Sequence, residues 1–182
     1  MYAPFRGIYS NLNLFRMALY PPSLTNSHDA LSQQSLRDVL LPLLASAYNR
    51  VFTSASLAIT GAGSTTVTAG AGAKGVVNGV PVTALAGVMP ALSGTVLQNN
   101  FQVYCFYMSI VGAYSIKAGV QASSLLNVTW PSTDANTAMI GFVVVNPTGG
   151  NFVGGTTALD AAGVNTTYYN CVGGFEPGTI IL

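Results

Sequence analysis

From Ser54 to the end of the chain, short apolar runs alternate with clusters of Gly, Pro, Asn and Ser. The punctuation falls roughly every 8–12 residues, the rhythm of strands joined by turns. The candidate strands are SLAIT, TTVTA, GVVNGV, VTALAG, NFQVYCFYM, AYSIKAGV, LLNVTW, TAMIGFVVV, NFVGG and NTTYYNCV. Val, Thr, Tyr, Phe and Ile dominate them, side chains that fit a pleated, half-buried surface. The pattern predicts a mainly β fold over residues 54–182: an antiparallel β-sandwich or jelly-roll-like domain. Two runs, FQVYCFYM and MIGFVVV, are apolar at successive positions and not at alternate ones. Each is expected to be a central strand, covered on one face by the opposing sheet and on the other by a helix or a partner.

Upstream the texture differs. Residues 26–53 carry a helical period: Leu36, Val39, Leu40, Leu43, Leu44, Ala47, Val51 and Phe52 follow i, i+3, i+4 spacing. Ser35 with Asp38 resembles a capping box, and Pro42 kinks or restarts the helix. Residues 1–25 are aromatic and irregular, and Pro21-Pro22 breaks them near their end. They read as an extended N-terminal arm that packs on another subunit or over its own domain.

Composition sharpens this picture. Charged residues make up 6% of the 182-residue chain, against about 25% in typical domains. Apolar residues make up 50% and the mean hydropathy is +0.48. Such a chain either crosses a membrane or buries much of its surface on other chains. A spanning helix needs about 20 consecutive apolar residues. Gly, Pro, Asn, Gln and Thr interrupt every long uncharged stretch, so no membrane helix is expected. A transmembrane β-barrel carries a weaker signature that this pattern does not address. No basic-then-apolar block follows Met1, so no secretory signal is expected. The net charge of +1 provides no electrostatic footprint for nucleic acid. Cys105 and Cys171 lie far apart without metal-ligand spacing and read as two buried thiols.

Candidate chemistry is sparse. Residues 70–75, GAGAKG, match G-x-G-x-x-G, but a strand-like run follows and no acid lies about 20 residues on to hold a ribose. His28 is the single histidine and sits at a helix start beside Asp29, so neither a triad nor a zinc site is expected. Asp134, Asp160 and Glu176 could supply a glycosidase pair, but all lie in turn-like contexts where Asp bonds nearby N–H groups. Tyr168, Tyr169 and Trp130 are candidates to stack on a sugar, although aromatic residues in strands more often serve core or interface. The expectation is a non-enzymatic protein without cofactor or metal.

AMIGFVVVNPTGGNFVGGTTALD followed by YYNCVGGFEPG resembles a segment of small β-rich structural proteins of tailed bacteriophage virions. The carriers are the apolar run 139–145, Asn146-Pro147, residues 152–157, Leu159-Asp160 and residues 173–177; the likeness spans roughly the C-terminal half. It brings no catalytic residues. It implies a virion component on the head, assembled in the host cytoplasm: a decoration or cement protein that binds the major capsid protein and its own copies, as a trimer. The arm, with Tyr2, Phe5, Ile8, Tyr9, Leu12, Leu14 and Phe15, is the expected partner interface. The alternatives are a tail, fibre or baseplate module that binds host glycan, and a carbohydrate-active hydrolase. Within this resemblance, residues 146–160 read as a strand leaving the core, a tight turn, and a second thin edge that serves the fold first and assembly second.

Overall fold

The computed structural model describes residues 48–133 and 136–173. The chain divides between Leu44 and Ala45, and every described residue belongs to the second unit. The expected arm, and the expected helix up to residue 47, lie outside the described residues. Arg50 and Val51, the latter expected on the helical stripe, form a strand instead. Val51 is fully buried in the β core, so tertiary pairing overrides the helical period at its last turn.

The fold is mainly β and every strand pairing is antiparallel. β1 (Arg50–Val51), β4 (Ala73–Val77) and β5 (Val80–Ala84) make one three-stranded sheet in the order β1-β4-β5. β2 (Leu57–Ile59), β3 (Val67–Ala69) and β6 (Gly87–Val88) make a second, in the order β2-β3-β6. β7 (Thr95–Val96) pairs with β11 (Phe152–Val153). The largest sheet runs β12-β10-β8-β9, built from β8 (Gln102–Ser109), β9 (Tyr114–Ala118), β10 (Thr137–Pro147) and β12 (Val164–Asn170). The short sheets pack on one face of this large one, the layering of a sandwich. The second layer is built from three short sheets.

Both faces of the large sheet are buried at its centre. Tyr104, Phe106 and Met108 of β8 point into the core shared with the short sheets. Val103, Cys105 and Tyr107 point the other way, into a second core. That second face is covered by the chain's own segment between β9 and β10, which contributes Val128, Ala122, Leu125 and Trp130. The expected strand LLNVTW lies here. It is instead a 3-10 turn, Leu125–Asn127, followed by a single bridge from Thr129 to Val120. A segment that must lie across a sheet face and cannot extend that sheet has no ladder to join.

β10 changes phase in mid-strand. Ala138 and Ile140 face the shared core, and so do Val143 and Val145. Strict alternation would turn Phe142 and Val144 inward there. A β-bulge between Met139 and Gly141 inserts Ile140 as an extra residue against β8 and resets the phase. Gly141 is forced at this place. A Cβ on it would collide with the carbonyl oxygen of Tyr169 and with Cδ1 of Leu57.

GVVNGV, expected as one strand, is a hairpin. Asn78 and Gly79 have φ of 52° and 75°, as the two central residues of a type I′ turn require. They join β4 to β5, with Val77 paired to Val80.

Candidate interaction surface

Residues 146–151 are held by neutral groups. The Asn99 N–H donates to the Pro147 carbonyl at 2.7 Å. Asn146 Nδ2 donates to the Asn100 carbonyl at 2.9 Å. Asn151 Oδ1 accepts the Gln98 N–H at 2.9 Å, and Gln98 Nε2 donates to the Thr148 carbonyl at 2.7 Å. Gln121 ties the neighbouring loop: its Oε1 accepts from the Leu97 N–H at 2.8 Å, and its Nε2 donates to the Thr95 carbonyl at 3.0 Å. Carboxamides suit this role because each supplies donors and an acceptor without a charge to desolvate. Gly154 lets two backbones touch, since a Cβ there would sit 2.7 Å from the Leu92 carbonyl carbon. Within the chain, Gly149 likewise lies against Gly163, whose Cα is 3.2 Å from where a Cβ would stand.

Asp160 is the one acid among the described residues. Its carboxylate oxygens accept the Gly63 N–H at 2.9 and 3.1 Å, while the adjacent Leu159 N–H donates to the Ser64 carbonyl. The expected bond to a nearby N–H of its own turn is replaced by a tertiary one: Asp160 reaches a loop 97 residues away. Asp134, Glu176 and His28 lie outside the described residues, as do Tyr2, Phe5, Ile8, Tyr9, Leu12, Leu14 and Phe15. Among the described residues no cluster of three His, Cys, Asp or Glu could hold a metal ion. Residues 70–75 lead into the β4–β5 hairpin and no helix follows them, so the nucleotide-loop pattern has no structural support.

Cys105 and Cys171 are both buried free thiols in the second core. Burial pushes Cys105 up to about 12 and Cys171 up to about 11. Cys171 follows β12 and Cys105 lies on β8, with β10 between them.

Among the described residues, two adjoining loops expose large aliphatic side chains. Val111 is 82% exposed, Leu85 79% and Ile110 42%. Ile110 and Val111 form the turn between β8 and β9; Leu85 follows β5. The two loops lie side by side. The Tyr114 hydroxyl donates to the Leu85 carbonyl at 2.8 Å, and a Cβ on Gly112 would fall 2.9 Å from the Thr83 carbonyl oxygen. The β8–β9 turn is closed by the Gly112 N–H to the Ser109 carbonyl at 2.9 Å and the Ser109 N–H to the Ala113 carbonyl at 2.9 Å. Aliphatic side chains are thus displayed on fastened loops. The sequence does signal this tip: IVGA and ALAG place large aliphatic residues where a turn normally carries polar ones.

The second feature is aromatic. Trp130 meets Phe142 edge-on, with ring centroids 4.9 Å apart. Phe142 stacks on Tyr169 at 4.6 Å and 15°. The fold thus brings Trp130 and Tyr169, both sugar-stacking candidates, to one aromatic row. It sends Tyr168 to the opposite face, against the shared core.

No helix among the described residues is long and apolar enough to cross a membrane. No family model, no curated protein and no solved structure matches the chain.

Proposed function

We propose that the chain is a capsid decoration or cement protein of a tailed bacteriophage, which stabilises the head by binding the major capsid protein and its own copies. The observation that carries this reading is the exposed apolar tip of Leu85, Ile110 and Val111, on two loops tied to one another by the Tyr114–Leu85 bond. Exposed aliphatic side chains on mobile loops lose ordering entropy on docking; on fastened loops that cost has already been met within the fold. Burial of each such side chain contributes about 1.5–3 kcal/mol, and repeated copies on one shell act together. The resemblance of the C-terminal half, carried by residues between 139 and 177, to virion structural proteins points the same way. Asp160 spends its carboxylate on Gly63, which favours a structural role over a hydrolase built on that residue.

Co-sedimentation with tailed-phage heads lacking their decoration protein tests this. The wild-type chain pellets with heads and saturates. The double variant Leu85→Asp, Val111→Asp keeps its melting temperature and binds more than about tenfold more weakly, because two buried aliphatic contacts are replaced by charges. A wild-type chain that stays in the supernatant, or a variant that binds as well as the wild type, refutes the reading.

A further inference from the structure

We propose that β12 carries a binding site for neutral oligosaccharide, centred on the outward face of the Tyr169 ring. Among the described residues β12 is an edge strand of the large sheet, with no further described strand of that sheet beyond it. Phe142, on the neighbouring β10, occupies one face of the Tyr169 ring in a near-parallel stack. The other face is therefore turned away from the sheet, and the residue is 40% exposed. Trp130 braces Phe142 edge-on from the covering segment, which fixes the angle at which the Tyr169 ring is presented.

The same strand face continues with Thr167 and Asn165, which pair with Val144 and Asn146 of β10 and are exposed. Successive side chains on one strand face lie about 6.8 Å apart. Among the described residues neither side chain makes a hydrogen bond, so a hydroxyl and a carboxamide stand ready beside an open aromatic face.

This combination selects the ligand. A pyranose ring has an apolar face of C–H groups bounded by hydroxyls; it matches an aromatic face flanked by neutral donors and acceptors. β12 carries no charged residue, and the lysine of this sheet, Lys117, lies on β9 at the opposite edge. A nucleic acid or a highly acidic glycan would need cations along the strip. A protein hot spot would bury the ring within an apolar surround, whereas Thr167 and Asn165 keep this one wet. The site does not rest on the decoration reading: it would serve a head protein or a tail protein equally.

The test uses the isolated full-length chain, so its outcome is independent of head binding. Maltohexaose, cellohexaose, laminarihexaose and chitohexaose are titrated while Trp130 fluorescence is followed, and electrophoretic retardation is measured in gels containing the matching polysaccharides. At least one probe binds saturably. Tyr169→Ala weakens it about tenfold or more, and Tyr169→Phe retains it, since stacking is carried by the ring and not the hydroxyl. The pair Thr167→Ala, Asn165→Ala weakens binding several-fold without touching the aromatic row, and stands in if Tyr169→Ala fails to fold. Absence of saturable binding to all four probes at millimolar concentration overturns the proposal. So does unchanged binding by a folded Tyr169→Ala or by the polar pair, or a Tyr169-dependent self-association in place of sugar binding.

Discussion

The carboxylate of Asp160 and the backbone N–H of Gly63 meet at 2.9 and 3.1 Å across 97 residues of sequence. This contact fastens the loop between β2 and β3 to the turn that precedes β12. Its neighbour, the Leu159 N–H bonded to the Ser64 carbonyl at 2.9 Å, makes the clasp double. Asp160→Asn keeps the shape but exchanges a charge-assisted acceptor for a neutral one. We expect a loss of about 1 kcal/mol in urea-induced unfolding, with capsid binding unchanged. A stability unaltered by Asp160→Ala would remove the clasp from the account.

Gly141→Ala is expected to be the most damaging single substitution in the large sheet. The added Cβ meets the Tyr169 carbonyl oxygen, which is backbone and cannot rotate aside. The bulge would have to shift, and with it the phase of Val143 and Val145. The expected cost is about 3 kcal/mol or more, read as a lowered denaturant midpoint or as loss of soluble protein.

Such a bulge could not be read from the sequence. TAMIGFVVV looks like one apolar run, and both phases place large apolar residues inward. The same run did show that β10 is covered on both faces, because Phe142 and Val144 are as apolar as Val143 and Val145. The covering element was less legible. Leu125 and Val128 have strand-like composition but lie across the sheet, and composition does not report direction. The β4–β5 turn was legible and missed: Asn78-Gly79 between Val77 and Val80 is a hairpin signal. The tip was legible in the same sense, for Val111 and Leu85 break the rule that turns are polar. The row of Trp130, Phe142 and Tyr169 needed the register of two strands and a covering loop, none of which local sequence encodes.

Gln121 bridges three groups: the Leu97 N–H, Asn100 Nδ2 and the Thr95 carbonyl. Gln121→Ala hands these exposed and half-buried groups to water and is expected to cost about 0.5–1.5 kcal/mol. Because the bridge is uncharged, the cost should be the same at low salt and in molar sodium chloride. A cost that shrinks with salt would show that charges elsewhere hold this loop.

Stability should fall on the alkaline side. Burial raises Cys105 from its ordinary 9.0 to about 12, Cys171 from 9.0 to about 11, and Tyr104 from 10.0 to about 12. Each group is neutral in the folded chain while its unfolded counterpart ionises. The unfolded state therefore binds fewer protons between pH 9 and 12, and the unfolding free energy decreases as pH rises. The stabilisation is complete below pH 9 and lost progressively up to the folded values. Urea titrations at intervals across this window should show the decline, and Cys105→Ala should flatten it. The same burial predicts that neither thiol reacts with a soluble disulfide reagent until the chain is unfolded.

The central claim is that this nearly uncharged domain displays a stiff apolar tip because the tip is covered by neighbours on a viral shell. Quantitative mass spectrometry of purified virions assembled with the chain tests it most directly, by counting copies relative to the major capsid protein. The account predicts copies in a fixed simple ratio to that protein, numbering in the hundreds on a head of several hundred subunits (an order-of-magnitude expectation for avidity-driven coating). A chain absent from the particles, or present only in the handful of copies that a tail tip holds, contradicts it.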